Sequence, residues 1–240
     1  MRRIVFLFIL SIFFSSCFFN STSQNILQPT KVVKLNIVEP SGITFYNNHL
    51  YIVSDSNSAV YKTSLQGSIL KKIKVSTTDN EGVCFNTAGD LVLVNESKRR
   101  LIKIDSSFKK EKKYRVKGKQ KHKNSGLEGV CFVPLEECYF IVNEKSPKQL
   151  LKVSKKGKVT KEIRIDFADD LSGICFDKES NTLWIVSDES RTILNVSLKG
   201  KLLKSYPMSI VKAEGITIVG NQIFVVSDEE NSLYIFKKPN

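Results

Sequence analysis

Three glutamates stand directly before a glycine at matching places in a repeated motif: Glu81, Glu128 and Glu214. The motif runs acid or serine, glycine, β-branched residue, small residue, apolar residue. Its copies are Glu81-Gly82-Val83-Cys84-Phe85, Glu128-Gly129-Val130-Cys131-Phe132 and Glu214-Gly215-Ile216-Thr217-Ile218, with two that lead with serine, Ser41-Gly42-Ile43-Thr44-Phe45 and Ser172-Gly173-Ile174-Cys175-Phe176. Carboxylates gathered at one place repel unless water, protons or a cation relieves them. Their hard oxygens suit Ca²⁺ or Mg²⁺. A fold that brings these positions together therefore makes either a cation site or a hydrated acidic opening.

A second acid recurs in all five units: Asp55, Glu96, Glu144, Asp188 and Asp228 each close an apolar run such as Leu50 to Ser54 or Leu183 to Ser187. An acid at a strand end accepts backbone N–H bonds from the following loop, so this acidic ring reads as structural. Cys84, Cys131 and Cys175 share one motif position with Thr44 and Thr217, a place for a small core side chain; Cys138 is the odd cysteine. With no C-x-x-C spacing, neither zinc nor redox chemistry is indicated. The histidines are two, His49 and His122, and no G-x-S-x-G, H-E-x-x-H or P-loop sequence occurs. Catalytic residues are therefore not identified, and Trp184, inside an apolar run, reads as core.

The elements that must position these acids follow from the repeat itself. The motif glycines Gly42, Gly82, Gly129, Gly173 and Gly215 are 40, 47, 44 and 42 residues apart, a period that belongs to propeller blades. After each motif come a turn, a Val- and Ile-rich strand, a polar loop, a third strand such as Leu150 to Val153, and a fourth of more exposed character such as Ile69 to Val75. Short apolar runs bounded by turn residues suit strands buried on both faces. The fifth unit stops at Asn240 before any fourth strand, and Val32 to Ile37 precedes the first motif with no unit of its own. If that strand completes the last blade, the ring closes without an unpaired edge at the seam. The expected fold is all-β: a five-bladed β-propeller with four-stranded blades, the last closed by the N-terminal strand, over residues 31–240 and almost without helix.

Ahead of it, Met1-Arg2-Arg3 and the apolar Ile4 to Phe14 form a basic-then-apolar leader, too short for the ~20 residues a spanning helix needs. Phe14-Ser15-Ser16-Cys17 resembles a bacterial lipobox, which implies a lipoprotein signal peptide over residues 1–16, a lipid on Cys17 and a flexible tether over 17–30. The alternative is an ordinary signal peptide. The chain carries a formal charge of +13, lowered to +11 if residues 1–16 with Arg2 and Arg3 are removed. Charge of this size speaks to solubility and non-specific attraction. Much of it sits in Lys109 to Lys123, eight Lys and Arg115 against Glu111 alone. That stretch is either a solvated insertion or a contact for anionic lipid or an acidic polymer.

The unit "x-G-I-x-F … L-Y-I-V-S-D … N-x-x-V-Y" resembles NHL-type propeller repeats. Together with the Glu-Gly-[IV] openings and the lipobox, residues 31–240 resemble the SdiA-regulated (YjiK-like) bacterial propellers, a resemblance that implies the fold and little about activity. A glutamate before glycine on an inner strand is also similar to gluconolactonase-type propellers, where it binds the metal; this implies Glu81, Glu128 and Glu214 as ligands of Ca²⁺, although no Glu-Gly-Pro occurs here. The functional expectation is a monomeric, lipid-anchored protein of the bacterial cell envelope, an outer-membrane lipoprotein facing periplasm or cell surface. It would bind a protein or small-molecule ligand, with a cation in the central channel and no nucleic acid. The alternative is a Ca²⁺-dependent hydrolase of lactonase or phosphoesterase type using the same glutamates.

Overall fold

The structure is a computed structural model, described for residues 26–118 and 125–239. The expected leader, Cys17, most of the tether and His122 lie outside the described residues. Strand β1 (Lys31–Lys34) comes first. Then follow four complete sheets: β2 to β5 (Pro40–Tyr46, His49–Ser54, Ala59–Thr63, Ile69–Lys74), β6 to β9 (Asn80–Phe85, Leu91–Asn95, Arg100–Ile104, Glu111–Arg115), β10 to β13 (Leu127–Val133, Cys138–Asn143, Gln149–Ser154, Val159–Arg164) and β14 to β17 (Gly173–Asp177, Thr182–Ser187, Thr192–Ser197, Leu202–Pro207). The last three strands are β18 (Ala213–Val219), β19 (Gln222–Ser227) and β20 (Ser232–Lys237). Among the described residues the helical content is one 3₁₀ turn, Pro134–Glu136.

The five sheets are antiparallel and four-stranded, and the fifth has the order β1-β20-β19-β18. The N-terminal strand therefore completes the last blade, in register from Lys31 opposite Ile235 to Lys34 opposite Ser232. It is shorter than the apolar pattern implied: Leu35 and Ile37 leave the ladder and are buried between the last blade and the first. Each blade grades outward as its residue types dictate. The second strands are buried throughout in Leu91–Asn95 and Cys138–Asn143, and in the other three blades past their first residue. The fourth strands are largely exposed, as in Ile69–Lys74, where lysines keep the open edge soluble.

The core lies between blades, so neighbours hold one another. Ile43 and Ile52 of the first blade pack with Phe224 and Val226 of the last across the seam. At the axis the motif glycines set the ring's diameter. A Cβ on Gly42 would lie 2.5 Å from the Glu81 carbonyl oxygen, one on Gly82 2.5 Å from that of Glu128, one on Gly129 2.6 Å from the Ile174 nitrogen, one on Gly173 2.4 Å from the Glu214 oxygen, and one on Gly215 2.8 Å from the Ile43 nitrogen. Each glycine abuts the backbone of the next blade, and the fifth abuts the first. No side chain fits.

Candidate acidic site at the channel mouth

The residue before each motif glycine sits in a local break of the strand ladder. Register shifts fall between Pro40 and Gly42, Asn80 and Gly82, Leu127 and Val130, and Ala213 and Gly215. In the fourth blade Gly173 pairs with Val186 while Ser172 N–H also donates to the Val186 carbonyl at 3.0 Å. A bulge of this kind leaves one residue unpaired and re-aims its side chain. Here it turns Ser41, Glu81, Glu128, Ser172 and Glu214 into one mouth of the axial channel.

That mouth is a cavity of 220 Å³ lined by twelve carboxylate residues, two lysines and two serines. All three motif glutamates line it, and so do all five strand-end acids, Asp55, Glu96, Glu144, Asp188 and Asp228. The repeat thus places its two acidic series side by side, because the second strand ends where the first begins. The strand-end acid of one blade meets the motif glutamate of the next. The atoms of Asp55, Asp79 and Glu81 lie within 4.8 Å of one another, as do those of Glu96, Glu128 and Glu144.

The strand-end acids also bond backbone. Glu96 Oε1 accepts from Gly126 N–H at 2.8 Å, and Asp188 Oδ1 accepts from Ala213 N–H at 3.3 Å. Each of these bonds reaches the start of the following blade. The series therefore combines inter-blade bonding with a share in the cavity wall.

Further lining residues escape the motif reading: Glu39, Asp79, Asp170 and Lys212, each two residues before the motif residue, with Lys145 and Glu189 in loops. The available signal was positional. Glu39, Asp79 and Lys212 hold left-handed φ of 48°, 60° and 52°, the turn that precedes the bulge. Asp170 accepts from Ser172 Oγ at 3.2 Å and from Glu189 N–H at 3.1 Å, and the Ser187 hydroxyl donates to it as well. Lys145 bridges Glu144 at 3.2 Å and Glu189 at 2.5 Å. Burial pulls its ammonium pKa down, but the hydrogen bond to Glu189 and the charge of Glu144 outweigh that and raise it.

Burial dominates the electrostatics, and neighbouring carboxylates without matching countercharge add to it. Burial first, then the charges of Asp55 and Glu214, push Glu81 well above the usual carboxylate range. Burial, then Glu81 and Glu96, do the same to Glu128. Burial raises Glu214 to about 8 against the opposing pull of Lys212, and raises Glu96 to about 7 against its bond from Gly126. Asp55, Glu144 and Asp228 are raised as well, each chiefly by burial.

Below the acids the channel narrows to 10 Å³ between the motif glycines and widens again to 160 Å³ at the opposite end. Thr44, Cys84, Cys131, Cys175 and Thr217 line that end with the motif phenylalanines. The four described cysteines are free and buried. Burial raises the thiols of Cys84, Cys131 and Cys175 far above their ordinary value and Cys138 to about 11, so they stay protonated and unreactive. Trp184 is buried and stacks on Tyr206, as its apolar run implied.

Solved structures share this architecture at low sequence identity. The glutaminyl cyclase of Myxococcus xanthus aligns with a TM-score of 0.72 at 10% identity, over 88% of this chain and 96% of that one. A streptogramin B lyase aligns at 0.53 and 18% identity over 88% and 73%, and a nidogen/laminin complex at 0.60 and 13% over 83% and 76%. Identities this low carry the fold and nothing of the chemistry. The SdiA-regulated family profile matches residues 23–166 and 156–240, which together take in every described residue. The chain belongs to the SdiA-regulated family.

Proposed function

We propose that this protein is a lipid-anchored binding propeller of the bacterial cell envelope whose acidic mouth takes up a divalent cation, Ca²⁺ by its hard oxygen ligands. The observation that carries the reading is the pair of carboxylate triads, Asp55/Asp79/Glu81 and Glu96/Glu128/Glu144, each with atoms within 4.8 Å. Oxygens sharing one Ca²⁺ at about 2.3–2.6 Å stand no more than about 5 Å apart, so the residues present fit the ion. Raised carboxylate pKa values support the same reading, since a cation supplies the charge that the two lining lysines do not.

A calorimetric titration of the purified protein with Ca²⁺, paired with melting curves, tests it. Heat of binding and a raised Tm, both lost in Glu128→Gln, support the reading; neither heat nor a Tm change overturns it. The anchor rests on the lipobox, and Cys17→Ser should release the protein from the membrane fraction.

One observation favours a hydrolase as second reading: Glu214 near 8 and Glu96 near 7 place groups that titrate at neutral pH in the same cavity as the ligand set. Ca²⁺-dependent turnover on a lactone and phosphoester panel, abolished in Glu128→Gln, would select it. Cation binding without turnover leaves the binding propeller.

A further inference from the structure

A second concave site lies away from the channel, on the outer edges of the second and third blades. It is a groove of 580 Å³ lined by Arg115 and Lys117 of one blade and by Lys156, Lys158, Lys161 and Glu162 of the next. Among the described residues none of the five cations has an acidic partner within ion-pair distance. The single carboxylate, Glu162, is already engaged by Gln149 Nε2 at 3.1 Å. Five exposed cations against one carboxylate leave the concavity with a surplus of positive charge that favours an anion.

The groove is also held in shape. Its floor is the turn between β12 and β13, where Ser154 Oγ accepts from Lys158 N–H at 3.1 Å and Ser154 N–H donates to the Lys158 carbonyl at 2.9 Å. Gly157, at φ 76°, presses this turn onto the neighbouring blade: a Cβ there would sit 2.8 Å from Tyr114 Cβ and 3.1 Å from the Arg115 carbonyl oxygen. The backbone of Lys156 and Lys158 is therefore held beside Arg115, with both side chains exposed. The turn itself does not require them. Its counterpart in the first blade, Ser64-Leu65-Gln66-Gly67-Ser68, has the same serine and glycine and no lysine, whereas that of the fourth blade, Ser197-Leu198-Lys199-Gly200-Lys201, carries lysine at both places.

We infer that this groove binds a phosphate-bearing polyanionic chain, laid across the edges of the second and third blades. Concavity separates this from contact with a flat bilayer, and the spread of five cations around 580 Å³ suits several anionic groups in a row more than one. Net charge is the competing explanation, because a chain at +13 attracts any polyanion weakly.

Titration with polyphosphate in Ca²⁺-free buffer, repeated from low to moderate salt, tests the inference independently of the acidic mouth. The triple variant K156E/K158E/K161E is compared with K71E/K72E/K74E, which makes the same charge change on the outer strand of the first blade. The groove variant should bind about 100-fold more weakly, with a salt slope shallower by roughly 2 to 3, near 0.7 per lost contact as for single-stranded polyanions; the control should lose less than about 5-fold. K156Q/K158Q/K161Q should lose affinity in the same direction without reversing charge. Equal losses in groove and control variants overturn the inference, and so does no binding by the parent protein. Binding to phosphatidylglycerol vesicles that the groove variant abolishes, with none to polyphosphate, overturns it in favour of a membrane surface.

Discussion

The Ser41 hydroxyl donates a 2.8 Å hydrogen bond to the Asn80 carbonyl oxygen, across the seam between the first and second blades. Ser172 likewise turns its hydroxyl onto protein, toward Asp170. The two motif serines line the same mouth as Glu81, Glu128 and Glu214 but spend their hydroxyls on protein, Ser41 across the seam and Ser172 on a neighbouring acid. Replacing Ser41 by Ala should remove this seam bond and cost about 1 kcal/mol, read as a lower urea midpoint, with the Ca²⁺ response unchanged.

A glutamate held at a cost to stability behaves oppositely when neutralised. Glu128 is half-buried, and desolvation first, then the charges of Glu81, Glu96 and Glu214, disfavour its ionised form. Glu128→Gln should therefore raise stability in EDTA at pH 8 by about 1–2 kcal/mol, roughly 3–6 °C in Tm for a domain of this size, while abolishing stabilisation by Ca²⁺. A purely structural glutamate would show a loss in both conditions. Stability and ion binding should trade against each other at this residue.

The same carboxylates set a pH dependence. Unperturbed, a glutamate titrates near 4.5; folded, Glu96 titrates near 7 and Glu214 near 8. Between those values the native state holds more protons than the unfolded chain, so stability falls as pH rises through the window. Melting curves in EDTA should decline steadily from pH 5 to pH 8. Saturating Ca²⁺ should flatten the decline, and binding at pH 7 should release protons, visible as a dependence of the heat on buffer ionisation enthalpy.

The axial glycines should tolerate nothing larger. In Gly129→Ala the new Cβ meets the Ile174 nitrogen at 2.6 Å and Gly173 backbone at 2.9 Å, atoms that cannot rotate away. The expected cost is about 3 kcal/mol or more, seen as loss of soluble protein or a steep fall in the denaturation midpoint. Gly220→Ala is the contrast: nothing lies within 4 Å, and only its φ of 55° opposes a side chain. That change should cost about 1 kcal/mol.

Burial leaves Cys84, Cys131 and Cys175 at the far mouth protonated, their thiols raised far above the ordinary value, and raises Cys138, which lies off the channel, to about 11. A disulfide-exchange reagent added to the native protein should label none of these four at pH 8 within minutes. All should react once the chain is unfolded.

Blade count, strand order and the closing role of the N-terminal strand were legible in the chain, because each rests on local signals repeated five times: a glycine, an apolar run, a turn. The period counts the blades, and a unit lacking its fourth strand leaves one position for the orphan strand Lys31–Lys34 to fill. Glu81, Glu128 and Glu214 were legible for the same reason. The cavity was not. Asp79 joins Asp55 and Glu81 only because the loop entering one blade passes the strand end of the blade before it. The basic groove likewise arises where the Ser154–Lys158 turn lands on its neighbour's outer strand. Sequence dictates what each blade is, since backbone bonding and strand pattern are local to it. Which side chains share a space depends on blades meeting around a common axis, and only the closed ring decides that.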